Sequence, residues 1–273
     1  MSLVSKIMNK LIKTKKVPVP YPINREKLIA NKVALVTGGS SGIGYSIAEV
    51  FLQHGAVVVI AGRNERKLEN ALEKLKTVSS SVSYICMDIG NVESLDSIAK
   101  RVFTNYGSID ILVNAAGMHY TEPFGKVTDN EFSSIIDINI KGTYFLTQSV
   151  CNLMIENKIH GNILNVSSSS GLRPAWGPYQ ISKWAINGMT KGFADKLIKY
   201  GIVVNAVAPG QTATPMLNVD SKNISNSTNL IGRYILPSEI AHIALFLVSD
   251  MGRIIVGDTV YASGGSGIVS LHR

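Results

Sequence analysis

The sequence has few cysteines, no closely spaced histidine pair and no long apolar run. Cys86 and Cys151 stand far apart without a CxxC motif, and the five histidines show no zinc-ligand spacing. A disulfide framework and a metal site are therefore not expected, and the chain fits a reducing, cytoplasmic compartment. No apolar stretch reaches the roughly 20 residues of a membrane-spanning helix.

The chain is also poor in acidic residues, but the imbalance is concentrated in one place. The net charge is +8, with 27 Lys and Arg against 19 Asp and Glu. Residues 1–30 contain seven basic residues and one acidic residue, so the rest of the chain is close to neutral. That rest shows no basic groove with interspersed aromatic residues, and we expect no nucleic-acid partner.

Residues 1–30 read as a basic extension. Apolar residues between Leu3 and Ile12 recur at helical spacing with lysines between them, and the prolines of residues 17–22 end any helix. Residues 1–22 can lie on an anionic membrane surface, pack on their own domain or a sister subunit, or form an unpacked terminus. Neither a secretory signal nor a mitochondrial presequence fits the pattern. We expect one domain over residues 31–273.

From residue 32 onward, apolar β-branched runs alternate with amphipathic helical patterns. Strands are expected at 32–37, 56–61, 82–87, 109–114, 161–167, 202–207 and 258–262, and helices at 43–54, 65–76, 92–105, 130–157, 178–200 and 237–249. Continuous apolar strands separated by helices predict a parallel sheet covered on both faces. The expected fold class is a single-domain α/β Rossmann-type, doubly wound parallel β-sheet with ligands at the carboxyl ends of its strands.

A glycine-rich loop directly follows the first expected strand and opens the first helix. It comprises Thr37, Gly38, Gly39, Ser40, Ser41, Gly42, Ile43 and Gly44. Gly38 permits the tight turn, Gly42 lets the backbone approach a pyrophosphate, and Gly44 lets helix and strand pack closely. The helix N-terminus then offers free N–H groups to phosphates, so the loop predicts dinucleotide binding.

The end of the second expected strand indicates which dinucleotide is bound. An acidic residue there would bind the ribose 2′-hydroxyl, but the chain has Ala61, Gly62, Arg63 and Asn64. Gly62 leaves room for a 2′-phosphate, and Arg63 offers it a charge-assisted contact. The sequence therefore predicts NADP(H) in preference to NAD(H), without excluding NAD(H).

Tyr179 and Lys183 lie one helical turn apart, downstream of the serine run Ser167–Ser170. A nearby ammonium is expected to lower the pKa of the phenol from its ordinary value of about 10. Combined with the glycine loop, a phenol that can move a proton indicates an oxidoreductase.

These motifs, in this order, resemble the short-chain dehydrogenase/reductase family over residues 31–265. Further matches are Asp88 after the third strand, Asn114–Gly117 after the fourth, Asn139, and Pro209-Gly210 followed by Thr214. The resemblance implies interconversion of a carbonyl and a secondary alcohol by hydride transfer. It also implies a homodimer or homotetramer, and the sequence offers an apolar helix face around Phe193 and Leu197 for such contacts.

The resemblance implies individual roles as well. The catalytic residues would be Asn139, Ser168, Tyr179 and Lys183, with Tyr179 as acid/base and Ser167 as the alternative to Ser168. The cofactor-binding residues would be Thr37, Gly38, Ser40, Ser41, Gly42, Ile43, Gly44, Arg63, Asn64, Asp88, Ile89, Asn114, Ala115, Ala116, Gly117, Tyr179, Lys183, Pro209, Gly210, Thr212 and Thr214. Substrate contacts are expected from His119, Trp176, Met216 and Leu217, beneath a mobile lid at Gln211–Leu236.

Three other functions stay open. A 3-oxoacyl thioester reductase acting on acyl carrier protein would use the same residues. A regulatory protein could bind the cofactor without turnover, and a membrane-associated component could depend mainly on the basic extension. The sequence does not identify the substrate.

Overall fold

The computed structural model describes residues 27–120, 123–217, 219, 224–227 and 229–267. The first 26 residues of the basic extension and part of the expected lid lie outside these ranges. Ile29 precedes the expected domain start at residue 31, yet it is only 3% exposed and packs into the core. No helix in the described ranges is long and apolar enough to cross a membrane.

Seven parallel strands form one sheet in the order β3-β2-β1-β4-β5-β6-β7. The strands are β1 (Val33–Thr37), β2 (Val57–Gly62), β3 (Val82–Cys86), β4 (Ile111–Asn114), β5 (Asn162–Val166), β6 (Val203–Pro209) and β7 (Thr259–Ala262). The chain builds outward from β1 to β3 and then returns to place β4 beside β1. This reversal creates a crevice at the carboxyl ends of β1 and β4.

Helices cover both faces of the sheet. They are α1 (Gly42–Gln53), α2 (Glu65–Lys76), α3 (Val92–Tyr106), α4 (Asp129–Ile136), α5 (Thr143–Glu156), α6 (Pro178–Leu197) and α7 (Pro237–Val248). Side chains alternate along β1, so Ala34 and Val36 pack with α1, α2 and α7, whereas Leu35 packs with α3, α5 and α6. The predicted doubly wound fold is confirmed.

One expected helix is interrupted. The sequence predicts a single helix over 130–157, but a π-helical segment, Asp137–Gly142, separates α4 from α5. Gly142 lies so close to Ile89 that a Cβ atom at Gly142 would overlap the Ile89 carbonyl. The wider π turn carries Asn139 into the interior, where it is 2% exposed. Such π segments occur frequently at functional sites.

A ladder of buried amides and hydroxyls, which we call the polar ladder, ties the sheet to α5 and α6. The Asn114 amide donates to Thr147 Oγ1 and to Asn165 Oδ1, both at 2.9 Å. The Asn165 amide donates in turn to Thr190 Oγ1 at 2.9 Å. These directional bonds fix α6, which carries Tyr179 and Lys183, relative to β4 and β5.

The apolar face expected around Phe193 and Leu197 is only partly at the surface. Leu197 is buried in the core of its own domain, and its prediction as a surface contact is wrong. Phe193 is partly buried and lies against Tyr144, with ring centroids 5.2 Å apart. The exposed apolar side chains nearby are Tyr144, Phe145 and Trp184.

Candidate active site

A cavity of about 440 Å³ opens at the carboxyl ends of the strands. Its lining residues from the predicted site are Gly38, Ser41, Gly42, Ile43, Gly44, Ala115, Ala116, Gly117, His119, Ser168, Tyr179, Lys183, Pro209, Gly210, Thr212, Thr214, Met216 and Leu217. Within the described residues, no Asp or Glu lines this cavity, and no cluster of metal-ligating side chains occurs.

The glycine loop forms one end of the cavity, as its spacing predicts. Gly42 has φ +57°, and a Cβ atom there would lie 3.3 Å from Thr214 Cγ2. A Cβ atom at Gly44 would meet the Gly38 carbonyl at 2.5 Å, so α1 can approach β1 only at glycine. Thr37 Oγ1 accepts from the amides of Ala115 and Ala116, each at 3.0 Å, which joins this loop to the loop after β4.

The first turn of α1 fits an anionic ligand such as a pyrophosphate. The first N–H groups of a helix have no intrahelical partner. Ser41 at the N-cap makes no side-chain capping bond, and the first turn carries no acidic residue. Uncapped donors at the positive end of a helix, beside glycines that admit close approach, suit the phosphates of a dinucleotide.

Several predicted cofactor residues lie beside the cavity without lining it. Arg63 is exposed after β2, and a Cβ atom at the preceding Gly62 would be 3.8 Å from Ser40 Oγ. Asn64 caps α2, accepting from the Lys67 amide at 3.0 Å. Asp88 accepts from the Gly90 amide at 3.0 Å, and Ile89 is a core residue. The Asn114 side chain belongs to the polar ladder, where its Oδ1 has no hydrogen-bond partner among the described residues.

Tyr179, Lys183 and Ser168 meet on one wall of the cavity. Tyr179 and Lys183 come from the first turns of α6, and Ser168 lies two residues beyond the end of β5. Lys183 Nζ lies 5.5 Å from the centroid of the Tyr179 ring and donates to the Val166 carbonyl at 2.9 Å. The Ser168 hydroxyl favours ionisation of the Tyr179 phenol. The wall thus combines a phenol, a hydroxyl and an ammonium.

The titration behaviour of these groups differs from the prediction. Burial raises the pKa of Tyr179, and the hydrogen bond with Ser168 only partly opposes this effect. The prediction that the pKa of this phenol falls below its ordinary value is therefore wrong, because the effect of burial is the larger one. Burial lowers the pKa of Lys183 itself to about 8.

The structure distinguishes Ser168 from Ser167 by their partners. Ser167 is 3% exposed, and its hydroxyl donates to Asn187 Oδ1 at 2.6 Å on α6. Ser168 Oγ instead accepts from the Ser170 amide at 3.1 Å and favours ionisation of the Tyr179 phenol, so it lowers the pKa of that phenol. Both serines line the cavity, but only the Ser168 hydroxyl acts on the phenol in this way. This arrangement favours Ser168, the choice made from the sequence.

Asn139 lies behind the cavity wall. Its amide donates to the Met118 carbonyl and to Ser182 Oγ, both at 3.0 Å, while its Oδ1 accepts from the Met118 amide at 2.8 Å. Ser182 Oγ donates to the Tyr179 carbonyl at 2.7 Å. The Asn139 side chain therefore holds the loop after β4 against the start of α6.

The predicted substrate residues surround the open end of the cavity. His119 lies edge-on to Tyr179 and lines both the main cavity and a neighbouring cavity of about 50 Å³. Trp176 lines the smaller cavity only, and its ring lies 6.3 Å from that of Phe124. Met216 and Leu217 form a 3-10 turn on the wall formed by the segment after β6. Residues 218, 220–223 and 228 of the expected lid lie outside the described residues.

Some further lining residues belong to the expected lid, namely Gln211 and Pro215, and others were not predicted from the sequence. The residues not predicted are Val166, Ser169, Ser170, Arg173 and Ser266. Ser169 and Ser170 belong to the serine run, which could have indicated them. Ser266 lies far along the chain, and only the fold brings it here. A Cβ atom at Gly210 would be 2.5 Å from the Ser263 carbonyl, which shows how closely the segment after β7 approaches the cavity.

Comparisons with known proteins agree with this geometry. A model of the short chain dehydrogenase family matches residues 32–225. The chain is 36% identical to the BbsD subunit of a hydroxy(phenyl)methylsuccinyl-CoA dehydrogenase from Thauera aromatica, over 87% of this chain and 97% of that protein. It is also 36% identical to a 3-oxoacyl-acyl-carrier-protein reductase from Chlamydia muridarum, over 87% and 98% of the two chains.

Solved structures show the same fold. An actinorhodin polyketide ketoreductase solved with NADPH superposes with a TM-score of 0.80 at 29% identity, covering 87% of this chain and 97% of that one. A short-chain type dehydrogenase/reductase from Mycobacterium marinum gives 0.82 at 26% identity, covering 88% and 97%. The sheet order, the glycine loop and these similarities lead to one conclusion: the chain belongs to the short-chain dehydrogenase/reductase family of oxidoreductases.

Proposed function

We propose that the protein is an NADP(H)-dependent oxidoreductase that interconverts a carbonyl and a secondary alcohol, with Tyr179 as acid/base. One observation carries the proposal. The Tyr179 phenol, the Ser168 hydroxyl and the Lys183 ammonium line one wall of a cavity whose end is an uncapped helix N-terminus with glycine at its closest points. A hydride donor and a proton donor can therefore meet one substrate carbon–oxygen bond in this space.

The contacts of each residue suggest its role in the proposed reaction. When bound, the nicotinamide cofactor supplies hydride transfer to or from the substrate carbon. Tyr179 donates a proton to the substrate oxygen during reduction and accepts it during oxidation, while Ser168 orients that oxygen. Protonated Lys183 favours the phenolate electrostatically. Asn139 positions both sides of the wall through Met118 and Ser182.

NADP(H) is proposed over NAD(H) because of the residues after β2. Arg63 is exposed and carries no acidic neighbour on the strand side, since Ala61 and Gly62 precede it. The solved ketoreductase that superposes on this chain was crystallised with NADPH, which supports the same choice. The remaining cofactor contacts proposed from the sequence are those of the glycine loop, Asp88, Asn114–Gly117 and Pro209–Thr214.

The test is a pair of binding titrations followed by turnover. Fluorescence titrations with NADPH and NADH should show tighter NADPH binding. Tyr179→Phe should keep NADPH affinity within about threefold and lower kcat by about 10²- to 10⁴-fold, the usual contribution of a positioned acid/base. Tyr200→Phe, an exposed tyrosine just beyond α6, is the matched control and should behave as wild type. Unchanged turnover in Tyr179→Phe would reject the proposed role.

The second candidate is reduction of 3-oxoacyl thioesters. The Chlamydia muridarum relative is named for 3-oxoacyl-acyl-carrier-protein reduction and an Acinetobacter relative, 34% identical, for acetoacetyl-CoA reduction. Exposed apolar side chains at the two cavities, Met216 (52%) on the main one and Trp176 (48%) on its smaller neighbour, would suit an acyl chain. A ratio of kcat/KM for acetoacetyl-CoA over simple ketones well above one would favour this candidate.

We further propose that the protein acts in the cytoplasm as a homodimer or homotetramer, with residues 1–30 as an extension of the catalytic domain 31–273. The exposed Tyr144, Phe145 and Trp184 on α5 and α6 support self-association. Light scattering of wild type and Trp184→Glu tests the assembly. Vesicle sedimentation with and without residues 1–22 tests the membrane alternative, and a copy without the extension that still sediments would reject it.

A further inference from the structure

We propose that Arg173 forms a subsite for an oxyanion on the substrate, so that the preferred substrates carry a carboxylate or phosphate beside the reacting carbonyl. The inference rests on the proposed carbonyl chemistry and narrows its substrate class. It starts from the positive charge of Arg173, which lines a cavity that has no carboxylate among its described lining residues.

Arg173 lines the cavity, and hydrogen bonds fix both its main chain and its guanidinium. It follows the 3-10 turn Ser169–Leu172, which begins directly after Ser168. Its carbonyl accepts from Trp184 Nε1 of α6 at 2.8 Å. Its Nη2 donates to Ser266 Oγ at 2.6 Å, and a Cβ atom at Gly267 would lie 3.6 Å from its Nε. The guanidinium is thus presented between α6 and the segment after β7.

The guanidinium has no charged partner in the described part of the chain, where Arg233 by contrast pairs with Glu239 at 2.7 Å. A guanidinium has five N–H donors, and one of them is assigned here to a neutral hydroxyl. No carboxylate among the described residues lines the cavity. The other cation on its wall, Lys183, donates to Val166 and faces Tyr179. An anion entering the cavity therefore finds donors and positive charge at Arg173.

The spacing limits which anions fit. Ser168 and Arg173 flank the four-residue 3-10 turn Ser169–Leu172, and both residues line the same cavity. A substrate whose carbonyl oxygen lies at Ser168 and Tyr179 can reach the guanidinium with an oxyanion several bonds away. Arginine binds carboxylates and phosphates through paired N–H···O bonds, which adds directional selectivity.

Paired substrates test the subsite. The probes are levulinate against methyl levulinate, and dihydroxyacetone phosphate against dihydroxyacetone, which lacks phosphate. Arg173→Gln should lower kcat/KM for the anionic member of at least one pair by about 10- to 100-fold, the usual effect of losing a charge-assisted bond. The neutral member should change less than threefold. The first pair reports a carboxylate and the second a phosphate.

Two control variants separate charge from structure. Ser266→Ala removes the hydrogen bond to the guanidinium but keeps the charge, so the preference for the anionic probe should persist. Arg101→Gln removes an exposed arginine from α3, outside the cavity lining, and should match wild type. If Arg173→Gln slows both members of each pair equally, Arg173 has a structural role and the subsite is rejected.

A binding readout keeps this inference separate from the proposed reaction. Quenching of bound NADPH fluorescence by levulinate or dihydroxyacetone phosphate should saturate in Tyr179→Phe, where turnover does not consume NADPH, and weaken at least tenfold when Arg173→Gln is added to that variant. Arg173-dependent binding without turnover would reject the proposed reaction but support the subsite. Binding and turnover that are both independent of Arg173 would overturn the subsite alone.

Discussion

His119 and Tyr179 meet edge to face, with ring centroids 4.4 Å apart and ring planes at 84°. Burial lowers the pKa of His119, and the charge of Lys183 lowers it further. The imidazole is therefore neutral at pH 7, and its contact with the phenol is an aromatic contact between uncharged rings. The histidine lies where it can restrict the phenol that we propose as the acid/base.

We expect His119→Ala to lower kcat/KM by about tenfold, because aromatic pairs contribute about 0.5–1.5 kcal/mol and the phenol would lose one neighbour. His119→Phe keeps the edge contact and should stay within about threefold of wild type. Steady-state kinetics of both variants at pH 7 provide the measurement. Equal losses in the two variants would show that the imidazole nitrogens, rather than the ring contact, are required.

The stability of the same site should depend on pH. A histidine with a lowered folded-state pKa binds fewer protons when folded than when unfolded, so stability is lost as the pH falls below the ordinary value of about 6.5. Wild type should therefore lose more Tm than His119→Phe between pH 7 and pH 5. Parallel Tm curves for the two proteins would contradict the lowered pKa of His119.

We expect the removal of the Lys183 ammonium to increase stability and to abolish activity. Its pKa is lowered from 10.5 to about 8 by burial, so the folded protein holds a desolvated ammonium at pH 7. Lys183→Met should raise the free energy of unfolding at pH 7 by about 1–3 kcal/mol while abolishing turnover. The gain should shrink as the pH rises from 8 towards 10.5, where the native lysine becomes neutral. Urea denaturation at pH 7 and pH 9.5 measures both effects.

Arg63 should control the choice of cofactor. Arg63→Ala removes the proposed partner of the 2′-phosphate and should raise the Kd for NADPH by about 10- to 100-fold, with NADH changed less than threefold. Arg101→Ala is the matched control, since this arginine is exposed on α3. Fluorescence titration gives all four constants. An equal rise for both cofactors would assign Arg63 to shared parts of the dinucleotide.

Two glycine-to-alanine changes should have opposite effects. Gly42 has φ +57° and faces Thr214, so Gly42→Ala should cost roughly 1–2 kcal/mol of stability and weaken cofactor binding. Gly188 lies inside α6, and a Cβ atom there has no neighbour within 4 Å. Gly188→Ala should stabilise the protein by roughly 0.5–1 kcal/mol without altering binding. Thermal unfolding and NADPH titration check both variants.

The sequence predicts most of the fold because its signals are local. The strands are rich in apolar residues and the helices have a periodic apolar face, so the parallel sheet follows from short-range patterns. The sequence does not predict the π segment at Asp137–Gly142, which ends at Gly142 in close contact with Ile89, about fifty residues away. A contact between residues so far apart along the chain leaves no local pattern in the sequence.

The site is predictable where chemistry coincides with spacing, as for Tyr179 and Lys183. The sequence does not indicate towards which partners these polar side chains point. Lys183 Nζ points at the Val166 carbonyl, and Asn114 turns into the polar ladder instead of the cavity. Arg173 and Ser266 are 93 positions apart, and their contact at 2.6 Å depends on the folded segment after β7. Such relations arise from packing and have no local pattern.

The polar ladder limits how far α6 can shift relative to the sheet. Contacts between apolar surfaces are not directional, whereas hydrogen bonds between amides and hydroxyls persist only if their donor–acceptor distances change by no more than a few tenths of an ångström. A slip of α6 by one residue, about 1.5 Å, would break the bond between Asn165 and Thr190 and carry Tyr179 away from Ser168 by the same distance. The buried side chains of the polar ladder thus keep Tyr179 at a fixed position relative to Ser168.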